Sequence, residues 1–428
     1  MLDLLIRNAN LPDGRKRIDI AIENGSIVQV GPKLDVRATR EIDATDRLAT
    51  PPFVDSHFHL DSTLSYGQPR VNASGTLLEG IELWGELKPH LTVENIKTRA
   101  RELCHWAIAR GTLAIRSHVD VSDDSLLAVN ALLEIRAEIK PYIDLQLVAF
   151  PQDGYYRHRG SAANLEHALD MGVDVVGGIP HFERTREQGA ASIKALCELA
   201  AGRGLRVDMH CDESDDPLSR HIETLSFHTQ RLGLQNRVTG SHLTSMHSMD
   251  NYYVSKLIPL MAEARVHVVA NPLINITLQG RHDTYPKRRG MTRVQELMQA
   301  GINVAFGHDA LMDPWYSFGS YDMIEVAHMG LHVAQMTGVD QMRQMFAAVT
   351  TNGAKALGIE NYGIEPGCNA DIVILQASDA QEALRLKPAR LFVIRRGTII
   401  AETSPVVSRL ELADRTVAVD FRWPKRSN

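Results

Sequence analysis

Pro51-Pro52-Phe53-Val54-Asp55-Ser56-His57-Phe58-His59-Leu60 is the stretch on which the fold turns. An apolar run that ends in His-x-His reads as a buried strand with two imidazoles on one face, because strand side chains repeat every two residues. Two co-facing imidazoles at a strand end are half of a metal site. Taken alone, the same pattern also fits a pair of surface or core histidines.

Working outward, apolar runs of the same kind recur at 113–120, 145–150, 173–179, 206–210, 238–242, 267–271 and 303–309. With 52–60 they make eight, and helical patterns such as 124–139 and 192–202 lie between them. Strands alternating with helices imply a parallel sheet, and eight of them imply an α/β (β/α)₈ TIM barrel. The barrel is expected over 52–361. The ends of the chain have a different texture. Short alternating runs at 2–7, 18–22 and 26–30 are broken by Asp13-Gly14, Asn24-Gly25 and Gly31-Pro32, and strand-like runs return at 371–375 and 391–401. These are hairpin signals. They predict one small β-sandwich domain built from both termini, 1–51 and 362–428.

The predicted strand ends collect His57 and His59, His118 and Asp120, Gln152, His210 with Glu213, His242, Asn271 and Asp309. Each could be a satisfied core residue. Together they would converge on the C-terminal rim, where such barrels place chemistry, and unpaired they would be costly to bury. His57, His59, His210 and Asp309 make a plausible ligand set for one divalent transition metal. Three imidazoles and a carboxylate suit Zn²⁺ or Fe²⁺ better than magnesium, which prefers oxygen. Such a metal lowers the pKa of water toward neutrality, which is the basis of a hydrolytic site.

Composition narrows the field. Among 428 residues, 44% are hydrophobic and 23% charged, as in ordinary globular proteins. A formal net charge of -6 gives no electrostatic reason to expect nucleic acid. The densest internal basic run, Lys287-Arg288-Arg289, is too short to change that, and it fits either a loop near the active-site mouth or a subunit contact. Cys104, Cys197, Cys211 and Cys368 lie far apart, which argues against a disulfide framework and fits a reducing cytoplasm. The first residues carry a charge inside their apolar run, unlike a signal peptide, and no stretch approaches a membrane span. A soluble cytoplasmic protein is expected. The last residues, 422–428, read as a loosely tethered end.

The motifs Val54-Asp55-Ser56-His57-Phe58-His59-Leu60-Asp61, His210-Cys211-Asp212-Glu213, Ser241-His242 and Gly307-His308-Asp309 resemble the amidohydrolase superfamily. Longer stretches are similar to the bacterial cytosine deaminase family. They include Gly75-Thr76-Leu77-Leu78-Glu79-Gly80-Ile81, Phe150-Pro151-Gln152-Asp153-Gly154, Ile179-Pro180-His181-Phe182-Glu183, Leu278-Gln279-Gly280-Arg281 and Asp313-Pro314-Trp315-Tyr316. The similarity runs from the N-terminal hairpins to about residue 400. It implies a metal-dependent aminohydrolase acting on a cytosine-like aminopyrimidine and water, in a homo-oligomer. Binuclear members of the superfamily carry a bridging lysine at the fourth strand end; 173–180 contains none, so one metal per chain is expected.

The resemblance also assigns roles. Asp309 would take a proton from water, His242 would steady the tetrahedral centre, and Glu213 would protonate the ring nitrogen beside the attacked carbon. Gln152 would read the ring carbonyl and the adjacent N–H, while Phe150, Leu77 and Trp315 would wall the ring. One position departs from the family: a second aspartate commonly follows the metal-binding one, and here it is Ala310. Loss of that carboxylate opens space for a methyl group, so either cytosine or 5-methylcytosine is expected. A larger aminated ring of the isoguanine or triazine type is the alternative, and a cyclic amide hydrolase is less favoured because the bridging lysine is missing.

Overall fold

The computed structural model describes residues 2–423. Eight parallel strands stand side by side in sequence order: Phe53–Phe58, Thr112–Asp120, Asp144–Phe150, Val175–Gly178, Arg206–Cys211, Val238–His242, His267–Ala270 and Val304–Phe306. The eighth meets the first through the chain just beyond it. Asp309 N donates to His57 O at 2.8 Å, and His59 N donates to Asp309 O at 3.0 Å. The expected TIM barrel is therefore present, and its seam runs through three of the proposed ligands. Gly307 permits that seam, since a Cβ there would stand 2.6 Å from the His57 carbonyl oxygen.

The strands are buried along nearly their whole length, which is why they read as continuous apolar runs. Helix limits were less legible. The helix expected from 124 starts at Leu127, because Asp123 turns the chain by accepting from Ser125 N at 3.2 Å. The one expected from 192 spans Arg186–Arg203. Its polar first turn is held by Thr185, whose hydroxyl accepts from Gln188 N at 3.2 Å, and apolar spacing carries no trace of that cap.

Both termini contribute to a small β-sandwich. One sheet runs Ser26–Gly31, Ile18–Glu23, Leu2–Ala9, Ala38–Asp43; the other runs Thr398–Glu402, Arg390–Arg395, Ile372–Leu375, Leu48–Thr50. Ile6, Ile20, Ile22, Ile372, Ile374 and Ile394 share the core between them. The strand Ile372–Leu375 serves two cores: Ile372 and Ile374 face the sandwich, while Val373 and Leu375 join the barrel core. Ala38–Asp43 and Leu48–Thr50 escaped the sequence reading. The first is largely polar and exposed and is defined by pairing with Leu2–Ala9; the second is three residues long. A further exposed hairpin pairs Ser408–Glu411 with Thr416–Val419. Of the tail, Arg422 bonds Asp420 at 2.6 Å, and 424–428 lie outside the described residues. Among the described residues no helix is long and apolar enough to cross a membrane.

One insertion shapes the rim. The helix Leu77–Leu87 follows the first barrel strand and is capped by Thr76, which accepts from Glu79 N. Its Gly80 lies against the Trp315 ring, where a Cβ would come within 2.3 Å of Cδ1. Trp84 Nε1 donates to Asp120 Oδ2 at 2.8 Å, and Lys88 Nζ bridges Asp120 and Asp153 at 3.1 and 2.8 Å. Asp120, one of the polar strand ends, thus fastens this helix to the barrel.

Candidate metal centre and active site

Four ligand-capable atoms converge at the seam. His57 Nε2 and His59 Nε2 lie 3.2 and 3.0 Å from His210 Nε2, and each lies 3.5 Å from Asp309 Oδ1. All four ligand atoms lie within 4.8 Å of one another, close enough for one cation to reach each of them. Burial holds His57 and His210 well below the usual imidazole range and lowers His59 to about 3. The rings are therefore neutral, as ligands must be. The second nitrogens of His57 and His210 are buried without a hydrogen-bond partner among the described residues. The donor set, its spacing and its neutral imidazoles fit one divalent cation.

Backbone strain aims two of these groups. Asp309 and His242 both adopt left-handed backbone, with φ of 71° and 72°. Such conformations cost on the order of 1–3 kcal/mol each and persist where surrounding structure enforces them. Here the seam bonds enforce the first. Asn275 Nδ2, 3.0 Å from His242 Nδ1, fixes the imidazole of the second. Glu213 Oε1 lies 3.4 Å from the same nitrogen, and His242 Nδ1 is 3.8 Å from Asp309 Oδ2. Burial raises the Glu213 carboxyl above the usual carboxylate range. Burial and then the Glu213 charge raise Asp309 in turn. Two acids and a neutral imidazole that share a dry corner form a proton-handling set.

A cavity of about 220 Å³ opens beside them. Gln152, Leu77, Ala310 and Trp315, expected from the sequence, line it together with His59, His210, Glu213, His242 and Asp309. Phe150 does not, which corrects its expected place on the ring wall. Its ring stacks on His210 at 4.0 Å between centroids, so it packs behind a ligand instead of facing the cavity. The end of the strand explains the shift: Phe150 is its last residue, and the chain turns beyond it, so Gln152 leaves the strand's alternation and reaches the cavity.

Several lining residues had no sequence role. His181, on the turn Pro180–Phe182, occupies the fourth strand end. Reading past the strand limit into that turn would have found it. Ser214 follows Glu213, and Leu78 and Ile81 come from the rim helix. Ile274 and Leu278 come from the helix Pro272–Leu278 and pack with Ala310 into one apolar corner that also touches Leu77 and Trp315. His118 lies beneath the ligands, 4.0 Å from the His57 ring centroid.

A barrel rim that assembles neutral imidazoles, a carboxylate and an adjoining acid defines a metal-dependent hydrolase using a single divalent metal. The chain belongs to the amidohydrolase family, whose match covers residues 40–407. Over 417 residues it is 31% identical to the N-isopropylammelide isopropyl amidohydrolase of Pseudomonas sp. (strain ADP), spanning 95% of this chain and 99% of that one. The 5-methylcytosine deaminase of Klebsiella pneumoniae, solved with 5-fluorocytosine, superposes with a TM-score of 0.93 at 40% identity and covers 96% of this chain and 100% of that one. The same enzyme liganded with phosphonocytosine gives 0.92 at 41% identity, over 94% and 99%. Within that family the protein is an enzyme closely related to the cytosine and 5-methylcytosine deaminase-like branch. It is a metal-dependent enzyme acting on C–N bonds.

Proposed function

We propose that this enzyme hydrolyses 5-methylcytosine to thymine and ammonia, and turns over cytosine more slowly. The observation that carries the reading is the corner at Ala310, where Ile274 and Leu278 close an apolar niche one residue beyond Asp309. Glu213 meets the ring nitrogen N3 and Gln152 meets the carbonyl and N1–H, which places C4 at the metal centre. The C5 substituent then falls against Ala310. One methyl in a fitted apolar niche discriminates by about 1–3 kcal/mol. The 40% identity to a 5-methylcytosine deaminase supports the same choice.

In this reading His57, His59, His210 and Asp309 hold one Zn²⁺ or Fe²⁺, the cations their donor set suits. When bound, such an ion supplies Lewis acidity that brings the pKa of water toward neutrality. Glu213, kept protonated by burial, gives its proton to N3 and makes C4 electrophilic. Asp309 takes one proton from the attacking water. His242, steadied by Asn275, hydrogen-bonds the new C4 oxygen. Asp309 passes its proton to the exocyclic amine, the C4–N bond breaks, and Glu213 takes back the hydroxyl proton as the C4 carbonyl forms, so both acids are restored and water's two protons are accounted for on N3 and on ammonia. Leu77 and Trp315 cover the ring face and keep bulk water out.

The test is ammonia release from 5-methylcytosine and cytosine side by side, as kcat/KM, in the wild type and in Ala310→Asp. The wild type is expected to favour 5-methylcytosine by about 10-fold or more and the variant to reverse the order. A wild-type preference for cytosine would make Ala310 neutral. Inactivity on both, with isopropylamine release from N-isopropylammelide, would move the substrate to the triazines.

A further inference from the structure

Of the basic run Lys287-Arg288-Arg289, the half-buried Arg288 bonds its own loop and two neighbouring rim segments. Its Nε and Nη2 donate to the two carboxylate oxygens of Asp283, each at 2.7 Å. Its Nη1 donates to Asp215 O at 2.9 Å and to Ser248 Oγ at 2.7 Å. Gly280 N, in the same loop, donates to Asp215 Oδ2 at 2.8 Å. Lys287 closes the loop on itself through the carbonyls of Gly280 and Asp283, both at 3.1 Å. Arg289 points elsewhere and donates to Val333 O at 3.0 Å.

Two of these contacts lie on turns that lead from working groups. Asp215 is two residues beyond Glu213, and Ser248 ends the turn that follows His242. The Arg288 loop itself continues from the helix that supplies Asn275, Ile274 and Leu278. The Glu213 carboxyl accepts no backbone hydrogen bond among the described residues, so its place is set by the turn that carries it. Asp212 ties one end of that turn, accepting from Ile222 N at 2.9 Å and from Ser219 Oγ at 2.7 Å. Arg288 ties the other. A planar guanidinium with five donors grips both Asp283 oxygens in parallel and still reaches Asp215 O and Ser248 Oγ, four acceptor atoms on three residues, whereas an ammonium has three donors and no fork for the paired contact.

We infer that Arg288 is a positioning residue that sets the Glu213 turn against the His242 turn and the helix Pro272–Leu278. The inference rests on the proton-donor role proposed for Glu213, so its test includes a readout independent of substrate. In metal-loaded Arg288→Met, kcat on 5-methylcytosine is expected to fall about 30-fold, the cost of a displacement well under 1 Å at a reacting group. KM should stay within about twofold, because Gln152 lies on the far side of the ring. Affinity for phosphonocytosine should fall with kcat. Amide hydrogen exchange should rise at 213–216 and 280–283. Arg288→Lys should recover part of kcat, and Arg289→Met should match the wild type in every readout. Unchanged exchange in Arg288→Met would overturn the clamp whatever the substrate proves to be. So would a kcat loss that is fully explained by lost metal or by a lower melting temperature.

Discussion

Arg116 and Asp208 sit one side-chain layer below His118 and His210, on the same two barrel strands and the same faces. All four residues are buried. The lower layer is fully partnered. Arg116 donates to Asp208 Oδ2 at 2.8 Å, Gln146 Oε1 at 2.7 Å and Ala356 O at 3.1 Å, while Ser241 Oγ donates to Asp208 Oδ1 at 2.7 Å. In the upper layer, His57 Nε2 and His59 Nε2 lie 3.2 and 3.0 Å from His210 Nε2 and 3.5 Å from Asp309 Oδ1, so their lone pairs face one another across a single point. A polar cluster that closes on itself serves the fold. One whose lone pairs converge on a common point is built for something the chain does not supply.

The comparison can be broken from either side, and the largest effect belongs to the upper layer. Chelation should abolish ammonia release and lower the melting temperature, and one equivalent of Zn²⁺ or Fe²⁺ should restore both, with metal analysis giving one ion per chain. Full restoration only at two equivalents would break the single-cradle reading. Next, Glu213→Gln should cut kcat by about 10²–10⁴-fold, while the melting temperature stays within about 2 °C. A matching loss of stability would make Glu213 structural.

The lower layer should respond the other way. Arg116→Met leaves Asp208 buried and unpaired and should destabilise the fold by about 3–5 kcal/mol in denaturant titration. The double variant Arg116→Met with Asp208→Leu should regain most of that loss, because no uncompensated charge remains. If the single variant kept its stability and lost only kcat, the two layers would not be distinct in role.

Several residues of the site stood out in the sequence because each closes or adjoins a strand, where a polar residue after an apolar run is conspicuous. His57, His59, His210, His242 and Asp309 are all of this kind. Asp120 gave the same signal and proved to anchor the rim helix through Trp84 and Lys88. Phe150, expected on the ring wall, packs behind a ligand, while His181, given no role by the sequence, lines the cavity, since a few residues around a strand end decide whether a side chain meets it.

The sequence by itself determined the eight-strand alternation, the two-ended β domain and the residue types of the metal cradle, because hydrophobic period and strand-end polarity are local properties of the chain. Only the tertiary structure decided which polar ends converge and which fasten a helix. It alone also placed Ile274 and Leu278 beside Ala310 and Arg288 behind Glu213. Those relations join residues tens to hundreds of positions apart, and the register of the closed barrel and the packing of its rim loops set them. No local pattern encodes either.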